Sequence, residues 1–226
     1  YIPSSWVEGT IIPLYKNKGD SKDVHNYRPI TLLSCLGKVF TSTLNQRLTQ
    51  FLNESNVLEE NQAGFRKGYS CSDHLFTIQC LFEILKRRKR KIFCAFIDFS
   101  QAFDKVWRIG LWQKLLRNNI NGKFYSVIYN MYSNIKSCIS SNGETSISFV
   151  SEIGVRQGEN LSPALFALYL NDLQTYMFSH ESIGVELKDL DDFTLWLKLL
   201  VLRYADDTVI LSESAEDLQK SLNIFN

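Results

Sequence analysis

Three places in the sequence gather residue types able to do chemistry. Asp98 closes the apolar run Ile92 to Ile97. A carboxylate at the end of a buried strand can hold a divalent cation against a sheet edge, and an Asp there equally suits an ordinary turn. Tyr204-Ala205-Asp206-Asp207 sets two adjacent carboxylates between two short apolar runs. Neighbouring residues of a regular strand face opposite sides, so both acids serve one site only where a turn redirects one of them; the segment also reads as an Asp-rich turn. The third place is Arg156-Gln157-Gly158, whose glycine lies four residues before Ser162-Pro163. Glycine lets a backbone approach a ligand closely and a helix start offers unpaired N–H groups, while a plain helix-entry loop would have the same composition.

These residues need elements to hold them. Trp6 to Tyr15 reads as a strand, followed by a polar turn at Lys16 to Asp20. Asn26-Tyr27-Arg28-Pro29 reads as a second turn, because a residue before proline is pushed out of helix geometry. Phe40, Leu44, Leu48 and Phe51 predict an amphipathic helix over 37–53; Leu75, Ile78, Leu81, Phe82 and Leu85 predict another over 72–88. Gln62 to Ser70, with two glycines, is the loop between them. Ile92 to Ile97 has the length and composition of a strand buried on both faces. Helices follow around 109–118 and 122–133, then a strand at Ile147 to Val150 and a loop at Arg156 to Asn160. Ser162 as N-cap and Pro163 in the first helical position open the next helix. Leu199 to Tyr204 and Thr208 to Leu211 form a hairpin with the two carboxylates at its tip. Leu218, Leu222, Ile224 and Phe225 mark the apolar face of a last helix. This mixed order, without βαβ alternation, predicts an α+β fold.

With 45% apolar and 22% charged residues in a chain of 226, disorder, collagen and coiled coil are excluded. The longest apolar run, Ala164 to Leu170, is far short of the roughly 20 residues a membrane-spanning helix needs. Five cysteines without a CxxC pair argue against a disulfide framework or zinc knuckle and fit an intracellular, reducing compartment. The net charge of +1 hides a gradient: residues 1–91 hold 14 basic and 8 acidic side chains, residues 181–226 hold 4 and 10. Lys86 to Lys91 is six consecutive cations, which read either as a phosphate-backbone clamp or nuclear import signal, or as a helix end suited to the macrodipole. The sequence opens at Tyr1 rather than Met and reads as part of a longer protein.

In combination the motifs are specific. Phe96-Ile97-Asp98-Phe99-Ser100-Gln101-Ala102-Phe103-Asp104, Gly154-Val155-Arg156-Gln157-Gly158-Glu159-Asn160-Leu161-Ser162-Pro163 and Tyr204-Ala205-Asp206-Asp207 occur in the order of polymerase motifs A, B and C. Upstream stand Asn26-Tyr27-Arg28-Pro29-Ile30 and Gln62-Ala63-Gly64-Phe65-Arg66-Lys67-Gly68-Tyr69-Ser70. Together they resemble the reverse transcriptases of non-LTR (LINE-type) retrotransposons over nearly the whole chain.

That resemblance implies an α+β right-hand polymerase. Residues 1–91 would be fingers-like. Residues 92–226 would be palm-like, with a small antiparallel sheet flanked by helices and a helical insertion near 109–150. The primer grip, the thumb and any endonuclease domain would lie outside this sequence. It implies template-directed DNA synthesis with RNA template, DNA primer and dNTPs as partners, and no membrane. Asp98 and Asp206 match the family's principal ligands for two Mg²⁺ ions, with Mn²⁺ as a substitute, and Asp207 matches the supporting carboxylate. Phe103 falls where the family has a bulky aromatic that excludes a 2′-hydroxyl. Phe99, Gln157 and Gly158 fall on nucleotide-binding positions; Arg66 and Lys67 are the cations offered to the triphosphate. Asp104 belongs to the motif but is not expected to be a ligand. One departure is Glu159-Asn160 where the family often has Cys-Pro, an acid expected beside a polyanion. A piece that only binds RNA or a partner is the alternative function; an RNA-templated RNA polymerase is disfavoured by Phe103.

Overall fold

The computed structural model describes residues 2–188 and 196–226. The chain forms two compact units interleaved in sequence: Tyr1–Val57 with Gln101–Tyr169, and Leu58–Ser100 with Leu170–Asn226. The expected boundary at 91/92 falls inside the second unit.

In the first unit the short helix α1 (Ser4–Val7) leads into β1 (Glu8–Tyr15). β2 (Tyr27–Leu33) returns antiparallel to β1 in the register Gly9↔Leu33 to Tyr15↔Tyr27. The turn expected at 26–29 is therefore only half right. A single 3₁₀ turn covers Val24–Asn26, and Tyr27, Arg28 and Pro29 are strand. Proline is tolerated because β2 is an edge strand, where no ladder donor is missed. β1 pairs parallel with β4 (Lys136–Ser141), to which the two-residue strands β5 (Glu144–Thr145) and β6 (Phe149–Val150) are antiparallel. Of the strand expected over Ile147 to Val150 only these last two residues pair; Ile147 is 90% exposed.

The helices of this unit follow the apolar spacing. α2 (Cys35–Glu54) is capped by Ser34, whose hydroxyl accepts from Gly37 N, and it buries Leu44, Leu48 and Leu52, four residues apart. α4 (Arg108–Arg117), α5 (Gly122–Ser133) and α6 (Ser162–Tyr169) pack together, with Leu111, Leu115, Ile128 and Leu165 fully buried.

The second unit is built on a three-stranded antiparallel sheet in the order β3 (Phe93–Asp98), β10 (Asp207–Ser212), β9 (Val201–Tyr204). One face packs on α3 (Cys71–Arg87) and the hairpin β7 (Val185–Lys188) and β8 (Trp196–Leu199), through Leu81, Leu85, Val185, Leu199, Leu202 and Leu211. On the other face Met177 of α7 (Leu173–Ser179) meets Val201 and Ile210, and α8 (Ala215–Phe225) adds Leu218, Leu222, Ile224 and Phe225. β3 is not buried on both faces as its composition suggested. It is an edge strand, and Phe96 is 78% exposed. Among the described residues no helix is long and apolar enough to cross a membrane, and all five cysteines are free.

Candidate active site

The carboxylates sit where β3 meets the β9–β10 hairpin. Asp207 opens β10 and lies directly opposite both Asp98 and Tyr204 in the register. Directly paired residues share a face, and side chains alternate along each strand, so Asp98, Asp207 and Tyr204 point the same way as Phe96, Val209 and Leu202. With His74, Leu75 and Ile78 of α3 these side chains line a mainly apolar cavity of about 300 Å³.

Asp206 precedes Asp207 in a two-residue turn with Ala205. Ala205 has φ +62° while Asp206 does not have positive φ, so a residue with a side chain occupies the first central position of the turn at positive φ. Glycine is the usual residue there, and alanine carries a left-handed penalty of about 1–2 kcal/mol. Asp98 and Asp207 are exposed and Asp206 is half-buried. Among the described residues no three His, Cys, Asp or Glu side chains close on one point. The donor set still suits Mg²⁺, which takes hard oxygen ligands, is commonly held by one or two carboxylates, and completes its shell with waters and phosphate oxygens.

The hairpin is anchored from below by residues that sequence reasoning passed over. Arg203 of β9 is completely buried. Its guanidinium donates to Asn61 Oδ1 at 2.6 Å, to Asn171 O at 3.2 Å, to Leu170 O, and to Glu59 at 3.4 Å. Burial pulls this guanidinium down to about 10 against the opposing effect of Glu59 and Asp172. An arginine in the middle of the apolar run Leu199 to Tyr204 was the available signal, since a buried charge demands partners.

In the first unit the motif around Phe103 and the loop before α6 are bonded to each other. Val155 N donates to Phe103 O at 2.7 Å and Gly154 N to Val106 O at 2.8 Å. Gln157 Nε2 donates to Asp104 Oδ2 at 2.9 Å. Burial raises the Asp104 carboxyl above its ordinary value, and the Gln157 hydrogen bond opposes this. Gly154 has φ +81°, and a Cβ there would lie 2.5 Å from Asp104 O. Gly158 also needs positive φ, +95°. Phe103 is half-buried and stacks on Phe166 at 4.8 Å between ring centroids.

Glu159 does not face a polyanion as expected. It is buried and paired with Arg156 at 2.8 Å, and the Tyr132 hydroxyl donates to it at 2.5 Å. Burial and the Glu159 charge hold the Tyr132 hydroxyl well above the usual phenol range. A dry pocket with a cation and a hydroxyl donor is what an acid in this position needs. Beneath it Arg108, also missed from sequence, donates to the carbonyls of Gly154, Tyr132, Ser151 and Ile153. Asn160 bonds Lys38 O at 3.0 Å.

The two candidate triphosphate cations differ sharply. Arg66 turns into its own loop: it donates to Glu59 O and Gln62 O, pairs with Glu60 at 3.5 Å and lies 3.9 Å over the Tyr69 ring. Its side chain is only 9% exposed. Lys67 is exposed. Phe99 packs against Phe225 at 5.6 Å.

Comparison with known proteins gives a consistent result. The family model described as reverse transcriptase (RNA-dependent DNA polymerase) matches residues 16–226. The chain is 29% identical, over 98% of its length, to a probable RNA-directed DNA polymerase from transposon BS of Drosophila melanogaster. It is 29% identical over its whole length to the RNA-directed DNA polymerase from mobile element jockey of the same organism. It spans 24% of each of these relatives. A telomerase from Candida albicans, solved with a fragment of telomeric RNA, shares the fold with a TM-score of 0.69 at 14% identity, over 99% of this chain and 40% of that one.

Proposed function

The chain belongs to the reverse transcriptase family, and on that premise we propose that it carries the nucleotidyl-transfer centre of an RNA-directed DNA polymerase of the non-LTR retrotransposon type. In this reaction the primer 3′-hydroxyl loses its proton and bonds to the α-phosphorus of a dNTP, the α–β bond breaks, and pyrophosphate leaves. The observation that carries the reading is the register Asp98↔Asp207, with Asp206 at the adjoining turn.

These three carboxylates would hold Mg²⁺ or Mn²⁺, which when bound lowers the pKa of the attacking hydroxyl and stabilises charge on the transferring phosphoryl group. The chain's own share is positioning. A paired strand and a two-residue turn leave the carboxylates little freedom, and small misplacements are expensive in rate. Phe103 is assigned to the sugar, Phe99, Gln157 and Gly158 to the nucleotide, and Lys67 ahead of Arg66 to the triphosphate, because Arg66 is already engaged by its own loop. RNA template, DNA primer and dNTPs are the proposed partners. Residues 1–91 are assigned to the fingers-like part and residues 92–226 to the palm-like part.

The test is RNA-templated primer extension by the full-length protein. Asp98→Asn should abolish extension, by more than about 10³-fold, with the unfolding midpoint and template binding unchanged. An Asp98→Asn protein that extends primers normally would sink the reading.

A further inference from the structure

The loop Glu59 to Gly64 runs against β9 as a fragment of a further strand. Arg203 N donates to Asn61 O at 2.7 Å, and Ala63 N donates back to Arg203 O at 2.9 Å, a parallel bridge centred on Gln62 and Arg203. Beyond the bridge the loop meets the turn itself. Gln62 is completely buried, and its Oε1 accepts from Gly64 N at 2.9 Å and from Ala205 N at 3.3 Å. Its Nε2 is buried with no hydrogen-bond partner among the described residues, so the acceptor is the useful end of this side chain. Gly64 closes the contact. A Cβ there would lie 2.1 Å from Ala205 N and 2.8 Å from Ala205 Cα, and no side chain can be accommodated without moving one backbone or the other. Gly64 does not have positive φ, so close approach rather than backbone conformation is what demands glycine.

We propose that Gln62 and Gly64 are positioning residues that latch the Ala205–Asp206 turn and thereby set where Asp206 and Asp207 stand for catalysis. The inference rests on the polymerase reading above. A turn with alanine at positive φ has an intrinsic tendency to relax. The Ala205 amide belongs to a buried residue and would be an orphan donor without Gln62. The latch satisfies it with a side chain held by the loop's own backbone bond, so the turn is fixed by its neighbour and not by its own sequence. Neither residue touches a reacting atom; both act through Ala205.

The experiment uses the full-length protein with Gln62→Met, which keeps volume and removes the acceptor, and Gly64→Ala, which adds only the clashing methyl. Two readouts are taken. Hydrogen exchange of the segment 204–207 should speed up by about tenfold in Gln62→Met, the effect of losing one buried hydrogen bond. Primer extension should lose about 10- to 100-fold in kcat, with KM for dNTP and template affinity within about twofold and the unfolding midpoint within a few degrees. Unchanged exchange at 204–207 overturns the latch. So does faster exchange with unchanged kcat, or a loss confined to KM and stability. The wild-type and Asp206→Asn proteins separate this from the polymerase reading. If the wild type does not extend a primer, or Asp206→Asn extends as well as the wild type, that reading fails, while the exchange result still decides whether the latch exists. Should Gly64→Ala not fold, Gln62→Met carries the test alone.

Discussion

Glu159 shows how a single acid changes meaning once its surroundings are known. Its carboxylate and the Arg156 guanidinium are both almost completely buried, and Arg156 also donates to Trp6 O at 3.1 Å. Removing one member leaves the other charged in a dry pocket, which typically costs 3–5 kcal/mol, whereas replacing both by apolar groups costs far less. Glu159→Ala is therefore expected to destabilise the protein by about 3 kcal/mol or more, and Arg156→Met with Glu159→Leu by clearly less, read from chemical denaturation of each variant. Equal losses in single and double variants would show that the pair does not anchor the loop. Phe103 has two tasks to separate. Its ring stacks on Phe166, a packing role, and its place five residues after Asp98 gives it the proposed sugar-excluding role. Phe103→Val should lower the ratio of kcat/KM for dNTP over rNTP by about tenfold or more. A loss of stability with that ratio unchanged would leave only packing.

At the scale of elements, α2 and α3 were legible because their apolar residues repeat at helical spacing; the structure lengthens α2 at both ends and shifts α3 by one residue. The site strands were legible for a different reason: short apolar runs end in carboxylates. What the sequence hides is pairing over long separations. β4 is mostly polar, Lys136 to Ser141, and becomes a strand because β1 offers it a parallel edge more than 120 residues away. Tyr27 to Pro29 looks like a turn because local preference is all a sequence displays; β1 overrides it. The conformation of Ala205 is hidden likewise, since nothing in Tyr-Ala-Asp-Asp requires positive φ until Asp207 pairs with Tyr204. That conformation has a consequence. A β-branched residue is far worse than alanine in the left-handed region, and Ala205 is buried against Gly64. Ala205→Val is expected to cost about 2 kcal/mol or more in stability and most of the extension activity. Wild-type stability in that variant would mean the turn tolerates another geometry.

Across the whole chain, folding redistributes the linear charge gradient, because the basic front of the sequence is divided between the two units. The basic run Lys86 to Lys91 belongs to the same unit as the acidic end of the sequence, and Arg90 is consumed there by Glu213 and by Glu186 O. Counting the sequence by unit, Tyr1–Val57 with Gln101–Tyr169 holds 13 basic and 8 acidic residues, and the other unit 12 and 16. A net-acidic unit that bears the proposed catalytic carboxylates needs local cations wherever it meets a phosphate backbone. Within the run the structure separates two kinds of cation. Lys86 and Arg87 lie in the last turn of α3, where positive charge suits the helix dipole. Lys89 and Lys91 lie beyond the helix and are exposed, so the dipole, which fades within a turn, gives them no comparable stabilisation. The two pairs should therefore respond differently in the full-length protein. Lys86→Ala with Arg87→Ala should lower the unfolding midpoint by a few degrees, from about 0.3–1 kcal/mol lost per cation. Lys89→Ala with Lys91→Ala should leave the midpoint in place and reduce the slope of log K against log salt for a single-stranded RNA template by about 1.4, since each neutralised phosphate contributes about 0.7. Identical salt slopes for the second pair and the wild type would confine the run to a structural role at the end of α3.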